Sequence, residues 1–279
     1  MGILYMTIQE QLQFMHSTPV VAWHEHIYGG GGSPKGLNET DHAYVDYTLQ
    51  MMDLFGIDKI VTSLPIAGDQ FCPPEDFIQV NNHIHKAVQR CPSRVHGLAF
   101  INPGFQKAAL DELKRCVQEL GFIGGKLLNQ YFVNDPILFP IIEKCIELDI
   151  PILMHAGHVT DPDTRCRQPR ISGGDHIADL AKRYPEATLI MAHIGGGGDW
   201  QWEIKAVADC PNVFADISGS IADRPLIEES VQFLGADRLL FGTDTIWDTA
   251  VAKILGADIS DEDKKTILAG AALQRFFDK

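Results

Sequence analysis

Short apolar runs rich in β-branched residues recur along the chain, and longer stretches with helical spacing separate them. Eight such runs stand out: Val20 to His24, Lys59 to Ser63, Val95 to Ile101, Ile123 to Leu128, Ile150 to His155, Thr188 to His193, Val213 to Ile217 and Arg238 to Gly242. None alternates strictly between apolar and polar, which is the pattern of strands covered on both faces. Strand alternating with helix predicts a parallel sheet. Eight such strands close a barrel.

The segments between the runs carry helix signals. Asp111 to Leu120 puts Leu113, Val117 and Leu120 on one stripe behind Leu110, and Gly121 stands where a C-terminal cap belongs. Asp135 and Pro136 form an N-cap and first turn, followed by Leu138, Ile141, Ile142 and Cys145 at helical spacing. Val45, Leu49 and Met52 repeat in the same way ahead of Gly56. Strand starts lie about 25 to 40 residues apart, the reach of a strand-helix-strand unit. Helical material from Ile246 and from Asp261 follows the last strand, and a leader of about 19 residues precedes the first. No polar linker divides the chain, so the expectation is one (β/α)8 TIM-barrel domain over residues 1–279, with an N-terminal leader and a C-terminal helix.

Composition narrows the partners. With 45% apolar and 22% charged residues, the chain reads as an ordinary globular enzyme-sized protein. Its 37 acidic and 23 basic residues leave a net charge of −14, which repels a nucleic-acid backbone and points to a small-molecule partner. No apolar run approaches the roughly 20 residues that span a bilayer, and no basic and apolar leader marks export, so a cytoplasmic location is expected. A homodimer is the oligomer expected. The six cysteines form no CxxC pair, so reduced thiols are expected rather than a thiolate zinc cage or a disulfide framework. Tetraglycine stretches at Gly29 to Gly32 and Gly195 to Gly198 lack a following Lys-Ser/Thr; they read as turns at the barrel mouth, not phosphate loops.

Candidate chemistry gathers at the strand ends. His24 and His26 flank Glu25, and the two-residue period of a strand puts both imidazoles on one face, about 7 Å apart. His155 closes the fifth strand, His193 the sixth, and Asp244 follows the eighth. His24, His26, His155 and Asp244 can hold a divalent ion, most simply Zn²⁺ with Mn²⁺ as the alternative, while leaving room for water. Asp244 could also accept a proton from that water, and His193 would serve as acid, base or substrate hydrogen-bonder.

These motifs, HEH in the first strand, MHAG in the fifth, MAHIGG in the sixth and FGTD in the eighth, resemble the amidohydrolase superfamily. Within it the likeness is to the amidohydrolase-related family that includes aminocarboxymuconate-semialdehyde decarboxylase. GFIGGKLL and the terminal ILAGAALQRFF are similar to that family's fourth-strand and C-terminal signatures, so the likeness runs from about Val20 to Phe277. The resemblance implies a metal-dependent barrel, usually with zinc, that cleaves an ester, lactone or amide or removes CO₂. It implies metal binding by His24, His26, His155 and Asp244, and work on water or substrate by His193.

The chain departs from that pattern in places. Ala22 stands where the family usually carries Asp, and Thr245, Ile246 and Trp247 replace a turn that often ends in Pro. Lys126 lies where some superfamily members have a carboxylated lysine bridging two metals. The segment Gly157 to Asp175 holds His158, Arg165, Arg167 and Arg170 and is long enough to form a lid, whose arginines would suit an anionic substrate. Tyr28, Asn102, Asn129, Tyr131 and Trp247 are candidates for the rim. The leading expectation is a metal-dependent hydrolase using metal-activated water on a lactone, ester or amide of a small, anionic molecule. Its alternatives are a non-oxidative decarboxylase on the same scaffold and a catalytically silent ligand-binding barrel.

Overall fold

The computed structural model describes residues 7–28, 43–66, 71–157, 162–194 and 200–277. Helix α1 (Ile8–His16) leads in, its first turn closed by a capping box: the Thr7 hydroxyl accepts from the Glu10 N–H, and the Glu10 carboxylate accepts from the Thr7 N–H. Strand β1 (Val21–His26) follows, then α2 (Ala43–Phe55), β2 (Lys59–Ser63), α3 (Pro74–Arg90), β3 (Val95–Phe100), α4 (Gln106–Gln118) and β4 (Gly124–Leu127). The second half runs α5 (Phe139–Glu147), β5 (Ile152–Met154), the short α6 (Pro162–Arg167), α7 (Gly174–Arg183), β6 (Leu189–Met191), α8 (Trp200–Ala206), β7 (Val213–Asp216), α9 (Leu226–Leu234) and β8 (Leu239–Leu240). Helices α10 (Trp247–Gly256) and α11 (Asp261–Ala269) and a 3-10 segment, Ala271–Phe276, complete it.

Every run read as a strand is a strand, paired in parallel with its chain neighbours in the order β1 to β8. Gly56 ends α2 as expected, with φ of 70°, a conformation costly for a residue with a Cβ, whereas α4 already stops at Gln118 with Glu119 as its cap, and Gly121, with φ of 71°, only turns the chain beyond it. Asp135 caps not α5 itself but the single 3-10 turn, Pro136–Leu138, that feeds it. Strand β8 is shorter than the sequence suggests, because the chain leaves the ladder to serve the opposite edge. The Trp23 N–H donates to the Phe241 carbonyl, and the N–H groups of Thr243 and Asp244 both donate to the His24 carbonyl, which brings the last strand round to the first.

The barrel interior has two storeys. Its lower storey is apolar: Val21, Trp23, Val61, Leu98, Ile123, Leu153, Ile190 and Leu240 pack together with Leu273 and Phe276 of the terminal segment beneath them. A larger apolar layer, to which Ala22 belongs, lies between the strands and the helices. Ala22 pairs with Ile60 but Glu25 with Thr62, so β1 carries one more residue than β2 over this interval. That bulge re-phases the strand, letting Trp23 face the apolar interior while His24 and His26, further along, meet the side chains above it.

Candidate metal centre

Above the apolar storey, the ends of β1, β4, β7 and β8 bring their side chains to one point. His24 Nδ1 donates to Asp216 Oδ2 at 2.9 Å, and His26 Nδ1 donates to the Ser63 carbonyl at 2.9 Å. With each Nδ1 engaged, the Nε2 atoms face Asp244, whose Oδ1 lies 3.2 Å from His26 and 3.9 Å from His24. His193 comes within 3.5 Å of the other Asp244 oxygen and pairs with Ser218 Oγ at 3.0 Å. Ser218 in turn touches His24 Nδ1 and takes its own N–H to Asp216, so one small network orients two histidines. Donor atoms of His24, His193 and Asp244 all lie within 4.8 Å of one another.

His155 stands one hydrogen bond further out. Its Nδ1 is 3.0 Å from His193 Nε2, and its Nε2 is 3.2 Å from Gln168 Oε1. Lys126, fully buried, donates to His24 Nε2 at 2.9 Å. A divalent ion on His24 would use that same lone pair, so ion and ammonium compete for it.

Burial dominates the electrostatics. It pushes His155 down to about 4, with the Lys126 charge adding to the effect. It also holds His26 and His193 below the usual imidazole range, His193 well below, with His24 a further cause in both. Imidazole binds metal in its neutral form, which these residues keep at neutral pH. Burial opposes ionisation of Asp244, but His24, His26 and His193 outweigh it and hold the carboxyl well below its usual range. Asp216 is ionised for the same reason, with His24 the main cause opposing burial. Lys126 is pushed down to about 8 and Glu25 up to about 8, each chiefly by burial. Oriented neutral imidazoles beside an ionised carboxylate form a donor set that fits a divalent ion.

The backbone is strained at the same place. His193, Asp244 and Thr245 have φ of 60°, 45° and 66°. Non-glycine residues there cost of order 1–3 kcal/mol each, and a β-branched threonine is a pronounced outlier. Such conformations persist where surrounding contacts enforce them, typically at functional sites.

Several sequence candidates stand apart from the cluster. Trp247 is 5% exposed and packs into the layer between barrel and helices rather than forming part of a rim. Tyr28 lies edge-on to His26 with ring centroids 6.0 Å apart, and its hydroxyl is pushed up to about 12 by burial and by Asp244. Asn129 is buried just beyond β4. Arg165 is exposed on α6, whereas Arg170 donates to the Gln130 carbonyl at 3.2 Å and lies over the Tyr131 ring. His158, the Arg167 side chain and both tetraglycine stretches fall outside the described residues. Asp216, Ser218 and Gln168 were not singled out from the sequence. Asp216 could have been, since it ends its strand as His155 and His193 follow theirs, and it pairs with His24.

A model of the amidohydrolase family, described as "Amidohydrolase", matches residues 64–277. The chain belongs to this family. The match begins after the first strand, so His24 and His26 lie ahead of it. The chain is 26% identical over 284 residues to a gamma-resorcylate decarboxylase of Polaromonas sp. strain JS666, an alignment covering 83% of the chain and 86% of that relative. It is 22% identical to the 2-amino-3-carboxymuconate-6-semialdehyde decarboxylase of Dictyostelium discoideum, covering 82% and 75% respectively. Among solved structures, a dihydroxybenzoic acid decarboxylase from Polaromonas sp. JS666, with bound manganese and the inhibitor 2-nitroresorcinol, superposes with a TM-score of 0.70 at 22% identity. That superposition covers 94% of this chain and 97% of the other. Among the described residues, no helix is long and apolar enough to cross a membrane.

Proposed function

We propose that this member of the family is a divalent-metal-dependent, non-oxidative decarboxylase of a small hydroxylated aromatic acid or a related unsaturated acid. The observation that carries the reading is a cluster of neutral imidazoles and ionised Asp244 at the barrel mouth of a chain 26% identical to a gamma-resorcylate decarboxylase. Hydrolysis, the leading expectation from the motifs alone, is less well supported than decarboxylation, because the relatives aligned over most of the chain include several named decarboxylases and a hydratase. Manganese, present in the matched Polaromonas structure, is favoured over zinc as the ion.

His24, His26 and Asp244 would hold the ion, with a fourth donor from the hydrogen-bonded His155–His193 pair. The resemblance assigns that donor to His155 and leaves His193 for proton transfer. A divalent ion bound there supplies Lewis-acid polarisation of substrate oxygens. The protein fixes the geometry: Asp216 and the Ser63 carbonyl lock the first-strand imidazoles, and Ser218 locks His193. In the reaction, the ring carbon that bears the carboxylate first takes up a proton; the bond to the carboxylate then breaks, its electron pair returns to the ring, and CO₂ leaves. That proton comes from solvent, and ionised Asp244 with neutral His193, 3.5 Å apart over the site, are placed to take it up and pass it on.

The test is product analysis with manganese-loaded protein and 2,6-dihydroxybenzoate in deuterated and ¹⁸O-labelled water. Release of CO₂ with one deuterium on the vacated carbon is expected. Incorporation of ¹⁸O into a cleaved ester, lactone or amide, without CO₂ from any acid tried, would replace this reading with hydrolysis.

A further inference from the structure

We infer that Glu25 is a positioning residue: it clasps the turn that carries Asp244 and thereby sets how tightly the barrel mouth holds a divalent ion. The inference rests on the reading that Asp244 is one of the ion's ligands.

Glu25 lies between the two histidines of β1 but makes a different set of contacts. One carboxylate oxygen accepts from the His26 N–H at 2.8 Å. The other accepts from the Thr243 hydroxyl and from the Thr245 N–H, the latter at 3.3 Å. The last two donors flank Asp244 in the chain, so Glu25 grips the turn on both sides of the ligand.

The turn needs such a grip. Strand β8 ends at Leu240, four residues before Asp244, so sheet pairing does not reach the ligand. Asp244 and Thr245 are consecutive left-handed residues, a conformation that relaxes unless outside contacts enforce it. Backbone bonds from Thr243 and Asp244 to the His24 carbonyl fix the entry to the turn. Glu25 adds the contact to Thr245, on the exit side, and reinforces Thr243. It does so from the same strand that carries His24 and His26, which ties the carboxylate ligand to the imidazoles it must meet.

The choice of residue points the same way. Glu25 is 1% exposed, and a polar side chain buried this deeply costs energy unless its hydrogen bonds are made, as these are. Only an acceptor with two oxygens reaches donors on both its own strand and the opposite edge of the seam.

The test is titration of full-length protein with Mn²⁺ alone, read by electron paramagnetic resonance of free and bound ion, alongside thermal unfolding. Glu25→Ala is expected to weaken Mn²⁺ binding by about 10- to 100-fold and to alter the bound-ion spectrum. Glu25→Gln, which keeps one acceptor oxygen, should recover part of that loss. Should Glu25→Ala not fold, Thr243→Val carries the test, since it keeps the glutamate and removes one donor; about a 10-fold loss is expected. Wild-type Mn²⁺ affinity in a folded Glu25→Ala or in Thr243→Val, while Asp244→Asn loses the ion, would overturn the clasp. Wild-type affinity in Asp244→Asn would overturn the metal reading itself.

Discussion

The lower and upper storeys of the barrel are built on the same eight strands, and they obey opposite rules. Below, Trp23, Leu98, Leu153 and Ile190 pack against one another, and the one left-handed non-glycine residue at that end, Asp149, lies in the turn before β5 rather than in a strand. Above, imidazoles, carboxylates and a lysine share buried space, and three non-glycine residues adopt left-handed conformations. Conserving energy at one end lets the other end tolerate cost: the floor provides stability, and the mouth holds groups that would not be buried for stability alone. The bulge in β1 marks the change of regime, since it separates Trp23 from His24.

The comparison breaks most sharply at Asp244. Asp244→Asn should lower divalent-ion affinity by more than about 100-fold and abolish turnover while leaving the melting temperature of the metal-free protein nearly unchanged. An equal loss of stability and binding would show that the storeys are not separable. The floor should answer in reverse. Trp23→Ala should cost about 3–5 kcal/mol of stability in denaturant titration, with ion affinity per folded molecule retained.

Within the mouth, His155→Ala is expected to lose most of the bound metal, and His193→Ala to keep it and lose turnover. Metal content by elemental analysis reads the difference, and the opposite pattern exchanges the two roles. Lys126 gives a smaller effect of opposite sign. As an ammonium competing for His24, its replacement by methionine should tighten Mn²⁺ binding by roughly 3- to 10-fold. A carboxylated lysine bridging two ions would instead make Lys126→Met lose metal.

The smallest expected effect lies at the floor. His96, beside Phe277, is held down to about 4 by burial and by the Lys59 charge. Its unfolded value is near 6.5, so between those values the unfolded chain binds the proton that the folded protein refuses. Stability from this group is therefore fully present above about pH 6.5 and falls as the pH drops toward 4. His96→Gln should flatten that part of the stability curve without changing ion affinity.

Much of this was legible in the sequence, and the parts that were not have physical causes. Strand existence followed from short β-branched runs between helical repeats, because a buried parallel strand has no other way to read. His24, His26, His193 and Asp244 were visible because strand ends at one level meet in a barrel. The shortness of β8 was not visible, since it depends on where Thr243 and Asp244 find an acceptor across the seam. Asp216 as the partner of His24 was hidden for a similar reason: 192 residues separate them, and no local spacing encodes the pairing. Trp247 was misplaced at the rim because position after a strand does not say which way a side chain turns, and here it turns into the outer layer.

The terminal 3-10 segment under the floor carries one more consequence. Phe277 rests against Trp23 with ring centroids 5.2 Å apart, joining a residue of the first strand to one 254 positions further along the chain. Contacts of such sequence separation form late, because closing a long loop must precede their reward. During translation the strands can pair in order, but the underside of the barrel stays wet until residues 271–277 have emerged. The ring is sealed from below by a turn made only after all eight strands.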